Sequence, residues 1–413
     1  MTRHFDIIVI GASLAGSAAA IILAKSGAKV ALIDKANFPR SKPCGEGLSA
    51  LSLQALTELG ALEAVTALPH VPLRGFEVHR RGRNYQLLLK SNQKVGMGVA
   101  RYLLDQTLHG LALASPEVSC FEGFSVREVI SNTTSMLVRA DSGDQSEQLF
   151  SAPYLILADG GRSPISRQLG IPVSAKPINR YGYRLLLTGQ PKRSIEAVQV
   201  FVRGDHEVYC TPVGEGRINL ALLGSKRAVS EMANSNYRAQ IVGWIAEELG
   251  IEGVQFNEGQ AIGPVTRLSR NSVWGRTFLV GDAAESFDPL GGMGMTHALY
   301  SGIAAGEALT GILLKQETMQ AGAHRYVAER ERIARTLRTF TSLTYRAFRN
   351  REGGILLSLL ARGKSFAVLE RTLQIVFRRA RQTTFSKRIS SNATPGPTPS
   401  ISARLKGAWL RVV

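Results

Sequence analysis

The first 34 residues constrain the fold of this chain more than any other part of it. Phe5–Ile10 is a short apolar run rich in β-branched side chains, which predicts a buried parallel strand. Residues 14–26 are rich in Ala, Ile and Leu and predict a helix, and Lys29–Ile33 predicts a second strand that ends at Asp34. A strand, a helix and a strand in so short a stretch require a right-handed crossover, and they predict a parallel sheet of the α/β class.

The turn between the first strand and the helix carries small residues at the spacing of a dinucleotide site. Gly11 permits a tight turn, Gly16 lets the helix approach the strand closely, and Ser13 is small enough to admit a pyrophosphate to the helix N-terminus. Asp34 ends the second strand, where a carboxylate can accept both hydroxyls of an adenosine ribose. An ordinary glycine-capped turn is the alternative, but the strand, the helix and the acid together favour a dinucleotide.

Two later segments repeat the pattern of a strand followed by an acid and glycines. The strand Leu155–Leu157 leads into Asp159-Gly160; such a loop can contact a phosphate or a cofactor, although a surface turn has the same composition. The strand Thr277–Val280 leads into Asp282 and then a glycine cluster near 291–294. These glycines leave backbone N–H groups uncovered at the start of a helix, where they can stabilise an anion; a packed glycine turn is the alternative.

Together the three motifs resemble the FAD-dependent oxidoreductases of the aromatic-hydroxylase and geranylgeranyl-reductase superfamily, over about residues 5–310. The resemblance implies that residues 11–16 hold the FAD pyrophosphate, that Asp34 holds the adenosine ribose, and that residues 291–295 face the flavin ring. It also implies that Arg101 reaches the cofactor. The full set of implied FAD contacts is Gly11, Ala12, Ser13, Ala15, Gly16, Asp34, Lys35, Arg40, Cys44, Gly45, Arg101, Asp159, Gly160, Gly281, Asp282, Pro289, Gly291, Gly292, Met293, Gly294 and Met295.

Residues 38–49 indicate which subfamily the chain resembles. They are similar to the Lys-Pro-Cys-Gly-x-Gly-Leu segment of geranylgeranyl-reductase-like flavoproteins, which implies a loop over the flavin. Cys44 and Glu46 are the candidate catalytic residues. Arg40 and Lys42 precede the cysteine and favour a lowered thiol pKa; a small packing residue is the alternative. Glu46 is either an acid/base group or the N-terminal acid of a helix.

Other residues carry less chemistry. His297 and Tyr300 share one face of the predicted helix after the glycine cluster, and a core or cap role is favoured over contact with the flavin. The cysteines Cys44, Cys120 and Cys210 show no disulfide pattern and favour a reducing, cytoplasmic setting. No metal-ligand spacing is present, so no metal is expected. We also expect no signal peptide and no transmembrane helix.

The formal net charge of +18 belongs mainly to one end of the chain. Residues 331–413 contain 17 Lys and Arg against three acids, a net charge of +14, which leaves only +4 for residues 1–330. Residues 355–381 place Leu, Ile, Phe and Val at helical spacing among Arg and Lys, a pattern that suits an anionic membrane surface on the cytoplasmic side. A C-terminal helix packed on the body with a solvated charged face is the alternative, and a nucleic-acid partner is disfavoured.

The predicted architecture is a Rossmann-like FAD-binding domain with a parallel sheet, an antiparallel-sheet substrate domain, and a basic helical C-terminus. The predicted boundaries are 1–70, 101–174 and 276–321 for the FAD-binding domain, 71–100 and 175–275 for the substrate domain, 322–384 for the basic helices, and 385–413 for a flexible basic tail. Within 175–275 the pattern predicts short strands, among them Leu185–Leu187, and one helix near 228–249.

The resemblance implies an NAD(P)H-dependent monooxygenase that hydroxylates an aromatic or polyketide-like substrate through a flavin C4a-hydroperoxide. The first alternative is a reductase of prenyl or lipid double bonds. The second is a membrane-associated flavin-binding protein without catalytic activity. In each case the expected ligand besides the cofactor is a small hydrophobic molecule, and the flavin itself supplies the redox chemistry.

Overall fold

The computed structural model describes residues 1–143, 147–350, 352–362 and 364–382. The strands are β1 (Thr2–His4), β2 (Ile7–Ile10), β3 (Val30–Asp34), β4 (Gly47–Ser49), β5 (His70–Leu73), β6 (Gly75–Arg80), β7 (Arg83–Leu88), β8 (Gly96–Val99), β9 (Val118–Glu122), β10 (Ser125–Ser131), β11 (Met136–Asp141), β12 (Glu147–Ala152), β13 (Tyr154–Leu157), β14 (Val173–Pro191), β15 (Ala197–Arg203), β16 (His206–Gly214), β17 (Arg217–Gly224), β18 (Ile251–Phe256), β19 (Gln260–Arg270), β20 (Val273–Trp274), β21 (Thr277–Leu279) and β22 (Glu285–Ser286). The helices are α1 (Leu14–Lys25), α2 (Ala50–Leu59), α3 (Leu62–Thr66), α4 (Arg101–Leu113), α5 (Pro164–Gln168), α6 (Lys226–Glu231), α7 (Ser235–Leu249), α8 (Gly294–Leu313), α9 (Met319–Arg349), α10 (Gly353–Ala361) and α11 (Ser365–Gln382), and two 3₁₀ turns span Gly281–Ala283 and Pro289–Gly291.

The N-terminal unit belongs to a six-stranded sheet in the order β20-β21-β13-β2-β3-β9. Its strands are parallel except at the edge pair β20–β21. Strands β2 and β3 are buried along their whole length, as near-continuous apolar runs require in a parallel sheet covered on both faces. The parallel sheet and its crossover helix α1 confirm the predicted Rossmann-like part of the fold.

A second large sheet has the order β22-β19-β14-β17-β16-β15-β6-β7, with β18 also paired to β14. Its pairs are antiparallel except for β6 with β15. One face packs on α6 and α7, and apolar side chains of the opposite face pack on α9, α10 and α11 and on Leu290. The antiparallel sheet and the helical C-terminus are thus also as predicted, whereas the domain boundaries stay predictions.

The structure corrects three details. The single helix predicted near 228–249 is two helices, because the Asn234 side chain accepts hydrogen bonds from the amides of Asn236 and Tyr237 and so starts α7. The short strand predicted at 185–187 is part of the 19-residue β14, which pairs with β17 along one edge and with β19 and then β18 along the other. The basic region 322–384 divides into α9, α10 and α11, and the predicted tail 385–413 lies outside the described residues.

No helix among the described residues is long and apolar enough to cross a membrane. Helix α8, the most apolar of the long segments, is a core helix that packs against α1 and α9.

His297 and Tyr300 both lie in the core on α8, with no exposed surface. The imidazole of His297 meets the edge of the Phe287 ring, with 5.0 Å between centroids, and neither ring nitrogen has a hydrogen-bond partner among the described residues. Burial, reinforced by the nearby Arg330 guanidinium, lowers the pKa of His297 to about 3. The side chain is therefore a neutral packing group at physiological pH.

This burial predicts an acid-sensitive contribution of His297 to stability. Because its pKa is lower in the folded state than the usual value of about 6.5, the protein loses stability as the pH falls below 6.5, when the unfolded chain binds the proton first. Between pH 7 and pH 5 the wild type should lose about 2 kcal/mol of unfolding free energy that His297→Leu does not lose. Urea unfolding of both proteins at the two pH values measures the difference; parallel pH dependences would contradict it.

Candidate functional site

The N-terminus of α1 is built to receive an anion. Ser13 occupies the N-cap position, but its hydroxyl does not cap the helix, and the first turn contains no acid. The hydroxyl instead donates to Asp105 Oδ1 over 3.1 Å and accepts from Arg101 Nη2 over 2.9 Å. The first N–H groups of the helix therefore have no side-chain acceptor, although Leu14 and Ala15 are buried. Such a helix end fits a pyrophosphate.

Arginine side chains reinforce the positive potential at this helix end. Arg101 Nε donates to Asp105 Oδ1 over 3.1 Å, and Arg40 Nη1 lies 3.8 Å from the second carboxylate oxygen of Asp105. Asp105 is completely buried, so it fixes both arginines. The sequence analysis missed this residue, although it follows Arg101 by one helical turn, the spacing at which two side chains meet on a helix.

Asp34 ends β3 beside the Gly11 turn, as predicted. One of its carboxylate oxygens accepts from the Ala12 amide over 2.7 Å and the other from the Ala36 amide over 2.9 Å. Arg40 Nη2 lies 3.8 Å away, whereas Lys35 is exposed. The carboxylate is thus fixed at the edge of the sheet where open α/β sheets bind their ligands.

The second predicted loop meets the first at this edge. A Cβ built on Gly11 would lie 2.5 Å from the Ala158 carbonyl oxygen, so only glycine lets the two turns approach. Burial raises the pKa of Asp159 to about 6, against a hydrogen bond from Ser163 that lowers it. Arg270 donates to the carbonyls of Gly161 and Ala283, each over 2.8 Å. This arginine, which the sequence analysis also missed, joins the second loop to the third.

The third predicted loop continues the same edge. The amide of Gly281 donates to Ser301 Oγ over 2.8 Å, and Asp282 follows in the same turn. Pro289 to Gly291 form the next turn, which the side chain of Asp288 caps by accepting from the Leu290 amide over 3.1 Å.

Helix α8 then begins at Gly294, after Met293, with no side-chain cap and no acid in its first turn. A Cβ built on Gly292, Gly294, Gly45 or Gly160 would meet no atom within 4 Å. These glycines therefore border open space rather than neighbouring chain, which leaves room for a cofactor at this edge.

The loop that carries Cys44 (residues 38–46) contacts the start of α8. Cys44 Sγ lies 3.7 Å from Met295 Sδ and accepts from the Glu46 amide over 3.4 Å. The thiol is half-buried and also lies within hydrogen-bonding reach of the Arg101 side chain. Cys44 therefore contacts two residues that the sequence assigned to the cofactor site, as well as packing at the edge of the core.

Glu46 lies between the two large sheets. It is 1% exposed and has a φ of +59°, a backbone conformation that is rare for a residue other than glycine. Its Oε1 accepts from the Arg101 amide over 3.1 Å and from Arg184 Nη2 over 2.7 Å, whereas Oε2 has no partner among the described residues. Burial raises the pKa of Glu46, although Arg184 and the Arg101 amide act in the opposite direction. Glu46 is thus the acceptor at the N-terminus of α4, while α2 is capped by Ser49.

Residues of the antiparallel sheet fix this loop. Arg184 on β14 donates through Nε to Asn219 Oδ1 over 2.7 Å, and Asn219 on β17 donates to the Cys44 carbonyl over 3.0 Å. Neither residue was among the predicted site residues. The two side chains hold Cys44 and Glu46 beside Met295 and Arg101.

A further group of ligand-type side chains lies between α4 and β9, although the sequence shows no metal-ligand spacing. His109 Nε2 lies 2.7 Å from Glu122 Oε1 and 3.6 Å from Cys120 Sγ, and the three residues could hold a metal ion. They come together because α4 packs on β9. The group supports the loop before Cys44, since Glu122 accepts from the Phe38 amide and the Phe38 ring stacks on His109.

Comparison with known proteins agrees with this geometry. Residues 4–341 match the family model described as FAD binding domain. This chain belongs to the FAD-binding-domain family. It is 28% identical to the menaquinone reductase of Mycobacterium tuberculosis over 319 residues, 74% of this chain and 76% of that protein.

Two other similar proteins are a reductase and a monooxygenase. The digeranylgeranylglycerophospholipid reductase of Methanosarcina acetivorans is 27% identical over 323 residues, which cover 75% of each chain. In fold, the chain resembles p-nitrophenol 4-monooxygenase PnpA of Pseudomonas putida, with a TM-score of 0.76 and 13% identity over 91% of this chain and 99% of that one. The protein is therefore an FAD-dependent oxidoreductase of the aromatic-hydroxylase and geranylgeranyl-reductase superfamily.

Arg101 should be required for tight FAD binding, because it is the buried cation at the N-terminus of α1. Arg101→Met should weaken FAD binding by roughly 10-fold to 100-fold, the loss expected for a charge-assisted contact. Fluorescence titration of the FAD-free protein measures the dissociation constant, and circular dichroism checks the fold. Arg227→Met, which removes an exposed arginine of α6, is the control. Unchanged FAD affinity in Arg101→Met would contradict the assignment.

Proposed function

We propose that this protein is an FAD-dependent reductase of a double bond in a lipid-type substrate, with NAD(P)H as the source of electrons. The observation that carries the proposal is Glu46, a buried carboxyl group with a raised pKa beside Cys44 in the loop that contacts the start of α8. When bound, FAD supplies the hydride. The residues around it must then supply a proton and an environment without water.

Glu46 suits the role of proton donor. Reduction of a double bond adds a hydride to one atom and a proton to the other, so an acid must retain its proton near neutral pH. Burial favours the protonated form of Glu46. One oxygen, Oε1, is held by Arg184 and the Arg101 amide, and Oε2 makes no hydrogen bond among the described residues. The group can therefore hold a proton on Oε2 while Oε1 fixes its orientation.

An apolar layer covers one face of the antiparallel sheet. Side chains of β15 and β17 (Val198, Val200 and Leu223) pack with Leu290, which precedes the glycine cluster, and with Phe348 of α9. These side chains are buried in the core, so they exclude water from this side of the sheet. The names of the two similar reductases specify lipid substrates, menaquinone and digeranylgeranylglycerophospholipid.

Hydroxylation, which the sequence analysis favoured, is the second reaction open to this family. The likeness to p-nitrophenol 4-monooxygenase concerns the fold alone, since the identity is 13%. We place reduction first because it gives the raised pKa of Glu46 a chemical role and because it agrees with the lipid reductases among the relatives.

Anaerobic turnover tests the proposal. The FAD-loaded protein, reduced with NADPH without oxygen, should convert a geranylgeranyl lipid to a product that has gained two hydrogen atoms across a carbon–carbon double bond, measured by mass spectrometry. Glu46→Gln keeps the hydrogen-bond acceptor but not the acid, so it should reduce turnover at least 10-fold while the flavin is still reduced by dithionite. Glu58→Gln, an exposed glutamate on α2, is the control. Product formation only in air, with incorporation of oxygen, would contradict reduction and support hydroxylation.

We also propose that α10 and α11 contact an anionic membrane, from which a lipid substrate enters. Their outer faces expose Ile355, Leu359, Val368 and Ile375, each at least 51% exposed, and Arg362, Lys364 and Arg371 are exposed on the same two helices or between them. An open cleft of about 610 Å³ beside them is lined by Arg80, Arg81, Arg83 and Ile355, among others. Apolar side chains next to cations match the boundary between acyl chains and anionic headgroups.

Flotation with vesicles tests the membrane surface. The protein should float with vesicles that contain phosphatidylglycerol and much less with pure phosphatidylcholine, because the surface is basic. Replacement of Ile355, Leu359 and Val368 by Glu should abolish flotation. Replacement of Ile130 and Leu314 by Glu, which removes exposed apolar groups elsewhere, should have no effect. Equal flotation of the triple variant and the wild type would contradict the proposal.

A further inference from the structure

We propose that a polar cluster recognises a neutral carbonyl oxygen on the ring end of a quinone-type substrate. The cluster lies on the face of the antiparallel sheet that packs against α9, and it is formed by Arg180, Glu207, Tyr209, Asp288 and Arg349. This inference rests on the proposed function, since it specifies which lipid the reductase accepts. It concerns side chains that the sequence analysis did not assign to any role.

The cluster joins three parts of the fold. Arg180 on β14 donates to the Glu207 carboxylate on β16, and Arg349 at the end of α9 lies 3.2 Å from the other oxygen of that carboxylate. Arg180 Nη1 lies 3.9 Å from Asp288 Oδ1, in the turn that leads to the glycine cluster. Arg180 is 8% exposed and Glu207 is completely buried. These charges are therefore fixed in the interior.

Two hydrogen-bond donors of the cluster remain unused. The hydroxyl of Tyr209 and Nη1 of Arg180 are both buried, and neither makes a hydrogen bond to the described residues. Burial, together with the charge of Glu207, raises the pKa of Tyr209 well above its usual value, so the hydroxyl keeps its proton. A buried donor without an acceptor costs free energy. A ligand oxygen that accepts from both donors would remove this cost.

The position of Tyr209 agrees with a substrate site. Tyr209 and Thr211 lie on the same face of β16, because side chains alternate along a strand. A Cβ built on Gly47 or Gly98 would contact the Thr211 methyl group, so this face adjoins the loop that carries Cys44 and Glu46. Tyr209 itself is half-buried and packs at the edge of the apolar layer that contains Leu290. The cluster thus lies on the sheet face between the candidate proton donor and α9.

The charge balance indicates which oxygen is bound. The two guanidinium groups of Arg180 and Arg349 face the two carboxylates of Glu207 and Asp288, so the cluster has no surplus charge for a phosphate or a carboxylate. The atoms without a hydrogen bond to the described residues are the Tyr209 hydroxyl, Arg180 Nη1 and Glu207 Oε1. Because Arg349 already lies 3.2 Å from Glu207 Oε1, the groups left for a ligand are the two donors. A neutral acceptor on a flat apolar body, such as a quinone carbonyl, matches this combination, whereas a phospholipid headgroup does not.

Binding to the oxidised FAD-loaded enzyme tests this inference without requiring turnover. The probes are menadione, which carries two ring carbonyls, and 2-methylnaphthalene, which has the same skeleton without them; the flavin absorbance change on titration gives each dissociation constant. The wild type should bind menadione at least 10-fold more tightly than it binds 2-methylnaphthalene. Tyr209→Phe should bind menadione about 10-fold more weakly than the wild type does, and its affinity for 2-methylnaphthalene should be unchanged. Tyr85→Phe, at another tyrosine of the same apolar layer, is the control.

Each result decides between the two proposals. Equal menadione affinity in Tyr209→Phe and the wild type, or no menadione binding by the wild type, would overturn the carbonyl site. Menadione binding that depends on Tyr209, followed by no reduction of any lipid quinone by the reduced enzyme, would support the site and contradict the proposed reductase function. The flavin spectrum of each variant verifies that the protein is folded and loaded.

Discussion

The close packing of α1 on its neighbours is the constraint on which the rest of the structure depends. A Cβ on Gly16 would lie 1.8 Å from the Gly11 carbonyl oxygen, and a Cβ on Gly302 of α8 would lie 2.2 Å from the Ala15 carbonyl oxygen. Glycine at both positions lets the helix lie against the sheet and against α8 at once. The N-terminus of α1 then comes to the same edge as the Asp159 and Asp282 loops, and the cofactor site follows from that placement.

One carboxylate links this site to the substrate side of the molecule. Glu46 accepts from the backbone of α4 and from Arg184 of the antiparallel sheet through the same oxygen. Asn219 ties the adjacent carbonyl of Cys44 to the same sheet. A movement of the antiparallel sheet would therefore displace the two candidate catalytic residues together. The loop therefore connects the cofactor side of the molecule to the antiparallel sheet.

The sequence predicted the parts of the site that are continuous along the chain. The turn after β2, the Asp159 loop and the glycine cluster each combine a strand end with a loop, so local patterns were sufficient. Asp105 was within reach of the same reasoning, since it lies one helical turn from Arg101. Arg184, Asn219 and Tyr209 were not, because their roles depend on strand pairing and on which face of a long strand meets the loops. The break between α6 and α7 depends on a side-chain cap, which periodicity does not detect.

Two buried carboxyl groups, Glu285 and Glu46, differ in how far their partners offset the effect of burial. Glu285 is held by Arg330 and Arg338 at hydrogen-bond distance, and these contacts outweigh burial, so its pKa is lowered. Such a group stays ionised and serves the structure. Glu46 has only Arg184 and one amide on a single oxygen, and burial prevails, so its pKa is raised. Incomplete pairing costs stability, and it also favours the protonated form of the carboxyl group, as a proton donor requires. The same reasoning distinguishes Tyr209 from Tyr326. The buried hydroxyl of Tyr326 donates to the Leu279 carbonyl and so stabilises the fold. The hydroxyl of Tyr209 has no such acceptor among the described residues, so a ligand can supply one.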